Sequence, residues 1–491
     1  MAEENRNFDF IIIGAGVIGC NIARELAKYT SSILVLEKEE DVASGVSKGN
    51  SGVLHAGFYQ PPGTLKAKMN VYGHSFFPEL AEELGVEVRI NGKLVIAMDE
   101  AERKKLEFYL EQGEKDGVKG LRLIDQDEIR KLEPNVLGKY AMISPGTGII
   151  EPYKFVIALA ENAASNGVKF HFLEKVIGVQ KNEGVFYVKT ERNQTYTSRW
   201  LINAAGMFSD DVSRLVADTP HKIYPVRGEY YVMDKAPEIF TRMIYPVPPA
   251  DGSGLGIHFT PTIDGNILIG PSANWIDPDD KEDTACTREV MDMLKAEIKK
   301  YIPKLANVDF IRNFANNRAK LFDGKDGTTF ADFVIQENPT CDHLIDCIGI
   351  ESPGLTAAPA IAEYVRDIIA QKEDLKERSD FNPHREKPIR FAELPPEEQA
   401  KLIEENEEYG IMVCRCETVT QAEIVAAIEN PLGVRSLDAI KRRCRAQMGR
   451  CQGGFCTPRI VELLIDRYGL KPEEIYKNNK KSPLFLGYIK Q

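Results

Sequence analysis

No stretch of the 491 residues approaches 18 consecutive apolar positions. A membrane-spanning helix is therefore not expected, and only peripheral contact with a membrane stays open. A secretory leader is not expected either: the first residues are acidic and polar, and the first apolar run is short. Basic residues are outnumbered, 62 Lys and Arg against 74 Asp and Glu, for a formal net charge of −12. That balance argues against a general nucleic-acid binder. Histidine is scarce, with seven in the chain, so each position counts. Cysteine is scarce through most of the chain, but Cys414, Cys416, Cys444, Cys451 and Cys456 crowd into its last eighty residues. Such crowding reads as a metal site in a reducing cytoplasm rather than a disulfide framework.

What is present begins with residues 7–55. The apolar run Phe8–Ile13 fits a buried parallel strand. Gly14, Gly16 and Gly19 follow, then a helical pattern through Leu26, then a second apolar strand, Ile33–Leu36, that ends on Glu37. Gly14 suits a tight turn, Gly16 the approach of a pyrophosphate, and Gly19 close packing of helix on strand. The helix start, with Val17 and Ile18, offers N–H donors to phosphates. Glu37 is placed to accept both ribose hydroxyls and would repel a 2′-phosphate, which argues against NADP. The segment Gly49–Gly57 is small, polar and glycine-rich, able to lie flat against a ring system, and favours FAD over NAD. Lys38, Ser47, Asn50, Ser51 and Gly52 join the expected cofactor set.

At this length two or three domains are expected. The strand Trp200–Asn203 closes on Ala204-Ala205-Gly206 before a helix, which fits a return to the nucleotide domain. A second return runs through Leu344–Gly349 and into a helix beginning at Gly354-Leu355-Thr356. That helix would aim its positive end at an anion such as a reduced flavin, worth up to about 2 kcal/mol when partly buried. The expected division assigns residues 1–75, 151–215 and 331–372 to an FAD-binding domain and 76–150 and 216–330 to a substrate domain. A linker follows over 373–410, then a cluster domain over 411–475 and a tail over 476–491. Val176, Ala205, Gly206 and Gly349 complete the cofactor set.

The series GAGVIG, LEKE, GNSGVLHAG, LINAAGMFSD, RGEYYVM, GIHFTPTIDGNILIGP and ESPGLTAAPAIAEYV resembles the D-amino-acid-oxidase-type flavoprotein superfamily over roughly residues 8–372. Within it the chain is similar to the branch of FAD-dependent glycerol-3-phosphate dehydrogenases and L-2-hydroxyglutarate dehydrogenases. The resemblance implies an α/β chain. Its glutathione-reductase-type, Rossmann-like FAD domain would be interleaved with an α+β substrate domain, with FAD held non-covalently.

A second signal lies at Cys414-Arg415-Cys416 and Cys451-Gln452-Gly453-Gly454-Phe455-Cys456. Between these loops, Thr420–Glu423 carries a capping-box signature, and Thr457-Pro458 reads as a helix start with proline first. Four thiolates on two loops suit a [2Fe–2S] cluster. Zinc stays open, although it prefers a two- to four-residue spacer between cysteines. The pattern resembles the small helical BFD-like [2Fe–2S] domain, which also ends the large subunit of anaerobic glycerol-3-phosphate dehydrogenase. Cys444 lies outside the four and reads as a core thiol.

The resemblance places a catalytic histidine at His55, a general base for a hydroxyl proton. It places a substrate arginine at Arg318, suited to a phosphate or carboxylate. Arg227, His258 and Ser352 are further substrate-site candidates, with Arg227 also read as holding the sheet. The expected reaction is oxidation of sn-glycerol 3-phosphate to dihydroxyacetone phosphate, with electrons leaving through the cluster to a redox partner protein or subunit. L-2-hydroxyglutarate is the alternative substrate, and a non-catalytic flavin and iron–sulfur relay the alternative role. The basic run Lys441–Arg445, with Arg450, reads either as offsetting the cluster charge or as a docking face for an acidic partner.

Overall fold

The computed structural model describes residues 6–249, 254–321 and 331–487. The first five residues, 250–253, the end of the second expected excursion (322–330) and the end of the expected tail (488–491) lie outside the described residues.

Two sheets organise the flavin half of the chain. In the first, Asn7–Ile13 runs parallel between Ile33–Leu36 and Thr195–Asn203. Ile33–Leu36 is buried at every position, as a parallel strand covered on both faces requires. Lys169–His171 adds to one edge in parallel. Thr195–Asn203 divides its other edge: its first half pairs antiparallel with Val185–Thr190, its second half parallel with Leu344–Ile348. Helices Val17–Ala27, Pro152–Ser165 and Gly354–Ala370 cover the sheet with small and branched side chains. Ile12 and Ile22 are fully buried there, each stabilising by about 1.5–3 kcal/mol.

The second sheet has nine strands and draws on both excursions. Lys93–Ala97 runs parallel to Met243–Pro246 and so joins residues 76–150 to 216–330. The long antiparallel pair Tyr224–Met233 and Phe310–Lys320 sets Arg318 opposite Val226. Helix Arg288–Tyr301 backs this sheet with Val290, Leu294 and Ile298 on its buried face. No helix among the described residues is long and apolar enough to cross a membrane.

Residues 373–410 form a strap. Arg378 donates to the carbonyls of Ala27 and Asn166, Arg385 pairs with Glu161, and Arg390 donates to the Cys444 carbonyl. The strap thus crosses the flavin domain and reaches the last domain. That domain is a short hairpin, Met412–Cys414 with Val419–Thr420, followed by helices Gln421–Ile428, Leu437–Cys444 and Cys456–Asp466. Ile424, Ile440, Ile460 and Leu464 fill its core. The capping box at Thr420 and Glu423 is formed in both directions.

Two expectations need correction here. The last helix begins at Cys456, so Pro458 is its third residue and not its first. Proline is tolerated there because the N–H groups of a first turn have no intrahelical acceptor. The run Lys441–Arg445 is not a docking face. Arg442 and Arg443 both reach Asp41, Arg443 also reaches Glu161, and Arg445 pairs with Glu417 and Asp264. These three arginine side chains are at most 9% exposed, and only Arg450, paired with Asp234, stands in solvent.

Candidate active site and cluster centre

A cavity of about 2980 Å³ runs from the glycine turn, between the two sheets, to the wall of the cluster domain. The turn itself is built for close approach. Gly14 has φ +105°, and a Cβ there would lie 2.5 Å from the Ala204 carbonyl oxygen. A Cβ on Gly19 would lie 1.9 Å from the Gly14 oxygen, so only glycine lets the helix start this near the turn. The Val17 N–H donates to Ser47 Oγ at 2.9 Å. Glu37 accepts from the N–H of Ala15 at 2.8 Å and of Glu39 at 2.9 Å. Burial pushes its carboxyl above the usual range, against the pull of those two N–H groups. Each carboxylate oxygen has two acceptor sites, so two remain open toward the cavity for ribose hydroxyls. This cradle of glycines, N–H donors and one carboxylate fits a dinucleotide.

Most of the expected cofactor residues line the cavity. Gly14, Gly16, Val17, Ile18, Glu37 and Lys38 do so at one end, with Ser47, Asn50, Ser51 and Val176. Ala205, Gly206, Gly354 and Leu355 line it from the other returns of the chain. Lys38 is engaged with Glu282 and Glu39. Gly19, Gly52, Gly349 and Thr356 stand behind the lining. Thr356 holds the site from there: its hydroxyl accepts the His55 N–H at 3.0 Å and reaches the Val53 carbonyl at 3.4 Å.

The His55 ring opens on the cavity yet is enclosed by protein. Among the described residues no hydrogen bond occupies its ring nitrogens. Burial first, then Lys93, His258 and His74, hold its pKa well below the ordinary value, so the ring is neutral near pH 7. His258 Nδ1 lies 2.9 Å from the Gly256 carbonyl and so carries the proton, leaving Nε2 to accept from Ser51 Oγ at 3.2 Å. Burial pushes His258 down to about 3. Arg318 lines the cavity with one Nη donating to the Ser272 carbonyl at 2.9 Å, and its buried Nε is unpartnered among the described residues. Ser352 also faces the cavity. Arg227 does not. Its Nη1 lies 2.5 Å from Asp283 and its Nε 3.3 Å from Glu229, so the substrate-binding reading is corrected in favour of the sheet-holding one.

Three residues of this site were not singled out from the sequence. Tyr230 places its hydroxyl 3.2 Å from Ser51 Oγ. The Tyr245 ring lies on His258, with centroids 3.8 Å apart. Lys93 is fully buried with its Nζ over the rings of Phe58, Tyr59 and Tyr245 at 4.5–4.6 Å. A lysine heading the apolar strand KLVIA is the one hint the sequence offers, and it reads equally as a strand end.

The four cluster cysteines converge. Cys414 Sγ is 3.9 Å from Cys416 Sγ, which is 3.7 Å from Cys451 Sγ, and Cys456 interacts with Cys414. Two thiolates on one tetrahedral metal at about 2.3 Å stand about 3.8 Å apart. Among the described residues no group of three or more His, Cys, Asp or Glu is arranged around a single metal ion. A two-iron cluster needs only two thiolates on each iron, which these spacings allow. A Cβ on Gly449 would lie 2.5 Å from Cys416 Sγ, so glycine leaves that sulfur room. Burial raises the Cys451 thiol, but the N–H groups of Gly453, Phe455 and Gly454 and the Cys416 sulfur outweigh it and leave it below the free value. Cys444 lies apart in the domain core, donating to the Ile440 carbonyl. Met448 and Gln452, beside these cysteines, line the large cavity, and the Tyr153 hydroxyl meets Met448 Sδ at 3.5 Å.

Comparison with known proteins agrees with both cofactor assignments. Residues 9–368 match the family model described as FAD dependent oxidoreductase, and residues 412–466 match that of the BFD-like [2Fe-2S] binding domain. The chain is 40% identical over 489 residues to a glycerol 3-phosphate dehydrogenase of Caloramator mitchellensis, covering 98% of this chain and 99% of that protein. It is 32% identical over 424 residues to the mitochondrial L-2-hydroxyglutarate dehydrogenase of Homo sapiens, covering 76% and 91%. Among solved structures it resembles dithionite-reduced L-alpha-glycerophosphate oxidase from Mycoplasma pneumoniae with FAD bound. The TM-score is 0.72 at 27% identity, over 78% of this chain and all of that one.

Proposed function

We propose that this chain, which belongs to the FAD dependent oxidoreductase family and carries a BFD-like [2Fe–2S] binding domain, oxidises sn-glycerol 3-phosphate to dihydroxyacetone phosphate. The observation that carries this reading is the reach of the first relative. The glycerol 3-phosphate dehydrogenase matches through the cluster domain to nearly the full length of both chains, whereas the human L-2-hydroxyglutarate dehydrogenase covers 76% of this one.

The chain's own groups suit the task. His55, neutral and without a described ring partner, takes the proton of the secondary hydroxyl. Thr356 fixes the backbone of His55. Arg318 receives the phosphate through its planar donors, one already anchored on Ser272. His258 presents Nε2 as an acceptor and keeps Ser51 oriented toward the ring-binding face. When bound, FAD supplies the hydride acceptor and the [2Fe–2S] cluster a one-electron exit. Stepwise exit suits a partner protein as final acceptor better than oxygen, which needs no such route. L-2-hydroxyglutarate is the second reading, favoured by the match of the flavin half to its dehydrogenases and by His258 in the cavity wall.

Anaerobic bleaching of the flavin by sn-glycerol 3-phosphate, L-2-hydroxyglutarate, L-lactate and amino acids tests the choice. Rapid bleaching by glycerol 3-phosphate alone is expected. Bleaching by L-2-hydroxyglutarate alone replaces the substrate, and bleaching by none of them removes the reading.

A further inference from the structure

Beside the large cavity, sharing His55, Tyr59 and Ser352 with its wall, lies a small second chamber of about 10 Å³. His55, Tyr59, Asn70, Lys93 and Ser352 are in its wall. Three of these carry buried polar atoms without a hydrogen-bond partner among the described residues: Lys93 Nζ, the Tyr59 hydroxyl, and both amide atoms of Asn70. Asn70 and Lys93 are fully buried. Orphaned polar atoms are costly, about 1–3 kcal/mol each, and native interiors satisfy them with protein or ordered water. One water needs about 10–15 Å³ and two to four polar partners, and this chamber supplies both.

We propose that this chamber holds one ordered water, fastened by Lys93, Asn70 and Tyr59, and that the water carries the proton received by His55 onward to the Lys93 amine. The proposal rests on the reading of His55 as the base. The transfer balances: the substrate O–H bond breaks as an N–H bond forms on His55. The other ring nitrogen gives its proton to the water, and the water gives one of its own to Nζ, turning amine into ammonium. Between turnovers the ammonium returns the proton through the same water to His55, and the ring nitrogen that faces the large cavity releases the substrate's proton to solvent there, which restores the starting amine and neutral imidazole.

Lys93 suits an acceptor. Burial alone holds its pKa well below the ordinary lysine value, so it starts as a free amine. Phe58, Tyr59 and Tyr245 turn their faces to Nζ at 4.5–4.6 Å, which makes the protonated form tolerable without a counter-ion. The titratable groups around this region are His55, His74, His258, Tyr59, Tyr109 and Tyr245. No described carboxylate pairs with Lys93.

Two measurements on the holoenzyme decide it. A high-resolution crystal structure is expected to show one water within hydrogen-bond reach of Lys93 Nζ and Asn70, and a dry chamber overturns the proposal whatever the substrate. The second is anaerobic flavin reduction by sn-glycerol 3-phosphate across pH and deuterium content. Lys93→Met removes the amine, and Lys93→Arg keeps a cation that cannot be deprotonated. Both should keep FAD and substrate affinity but reduce flavin about 10- to 100-fold more slowly, less than outright loss of a base. The rate's curved dependence on deuterium fraction should become linear. Wild-type rates in Lys93→Arg overturn the proposal, because a fixed cation would then suffice. Should the lysine variants not fold, Tyr59→Phe keeps the ring and removes one fastening hydroxyl, and an unchanged isotope dependence there overturns the relay. An unchanged rate in His55→Gln instead sinks the base reading itself.

Discussion

Arg443 and Asp41, 402 positions apart, meet through two hydrogen bonds of 2.9 and 3.2 Å. Both side chains are nearly sealed from solvent, and Glu161 takes the remaining guanidinium nitrogen at 3.1 Å. The pair fastens the cluster domain to the turn that follows Glu37. The cluster domain therefore forms part of the wall of the flavin cavity, through Arg442, Arg445, Met448 and Gln452, and is not a tethered module.

Arg443→Met should leave Asp41 to Arg442 alone and Glu161 to Arg385 alone, and so destabilise the protein by less than the about 3–5 kcal/mol that a fully unpaired buried charge costs. Denaturant unfolding measures the loss, and faster proteolysis within the strap 373–410 should accompany it. Unchanged stability would mean that the contact is incidental. Asp41 adds a pH signature. Burial raises its pKa, but Arg443 and Arg442 more than offset this and leave it below the ordinary value. Its contribution is thus complete above about pH 4, where the unfolded carboxylate is ionised, and is lost as pH falls through the lower folded pKa. Asp41→Asn should flatten the acid limb of the stability curve.

His55→Gln should slow flavin reduction by about 10²–10⁴-fold at unchanged FAD content. Because the His55 pKa lies well below 6.5, the wild-type rate should persist as pH drops through 6.5 and fall only beneath it. A decline centred on 6.5 would assign the titration to another group.

Arg318→Lys should mainly raise the substrate concentration needed for half-maximal reduction, since one ammonium cannot replace a planar two-pronged donor. An unaltered KM against a lower kcat would place Arg318 outside anion binding.

Cys416→Ser and Cys451→Ser should abolish two irons and two sulfides per chain while substrate still bleaches the flavin. Transfer to a protein acceptor should stop. Gly449→Ala should also lower iron content, because its Cβ would crowd Cys416 Sγ. One zinc in the wild type, with no iron or sulfide after anaerobic purification, would reverse the assignment.

Glu37→Ala should weaken FAD, leaving the Ala15 and Glu39 N–H groups without their acceptor as well as the ribose. FAD titration of the apoprotein measures it.

The elements that sequence made legible are those whose signal is local. Ile33–Leu36 and the glycine turn lie within thirty residues of one another, and Thr420 and Glu423 within four. The cysteine spacing likewise announces its own loop geometry. The basic run was misleading because its partners are remote: nothing near Arg442 or Arg443 in the chain points to Asp41 and Glu161. Lys93 was hidden for the same reason, as its box is assembled from Phe58, Tyr59 and Tyr245, on two other segments. Arg227 and Arg318 share the same pair of strands, and only the fold separates the one that ties Glu229 and Asp283 from the one that opens on the cavity.

The first sheet also sets an order of events during synthesis. Asn7–Ile13 leaves the ribosome early, but its neighbour Thr195–Asn203 comes nearly two hundred residues later, and Leu344–Ile348 later still. At about 5–20 residues per second the last strand trails the first by roughly 17–70 s. Through that interval the nascent chain carries an apolar sheet with an unfinished edge, and the Gly354–Ala370 helix that covers it has not yet been made. The strand order thus predicts that the sheet closes, and its dinucleotide cradle is complete, only late in synthesis.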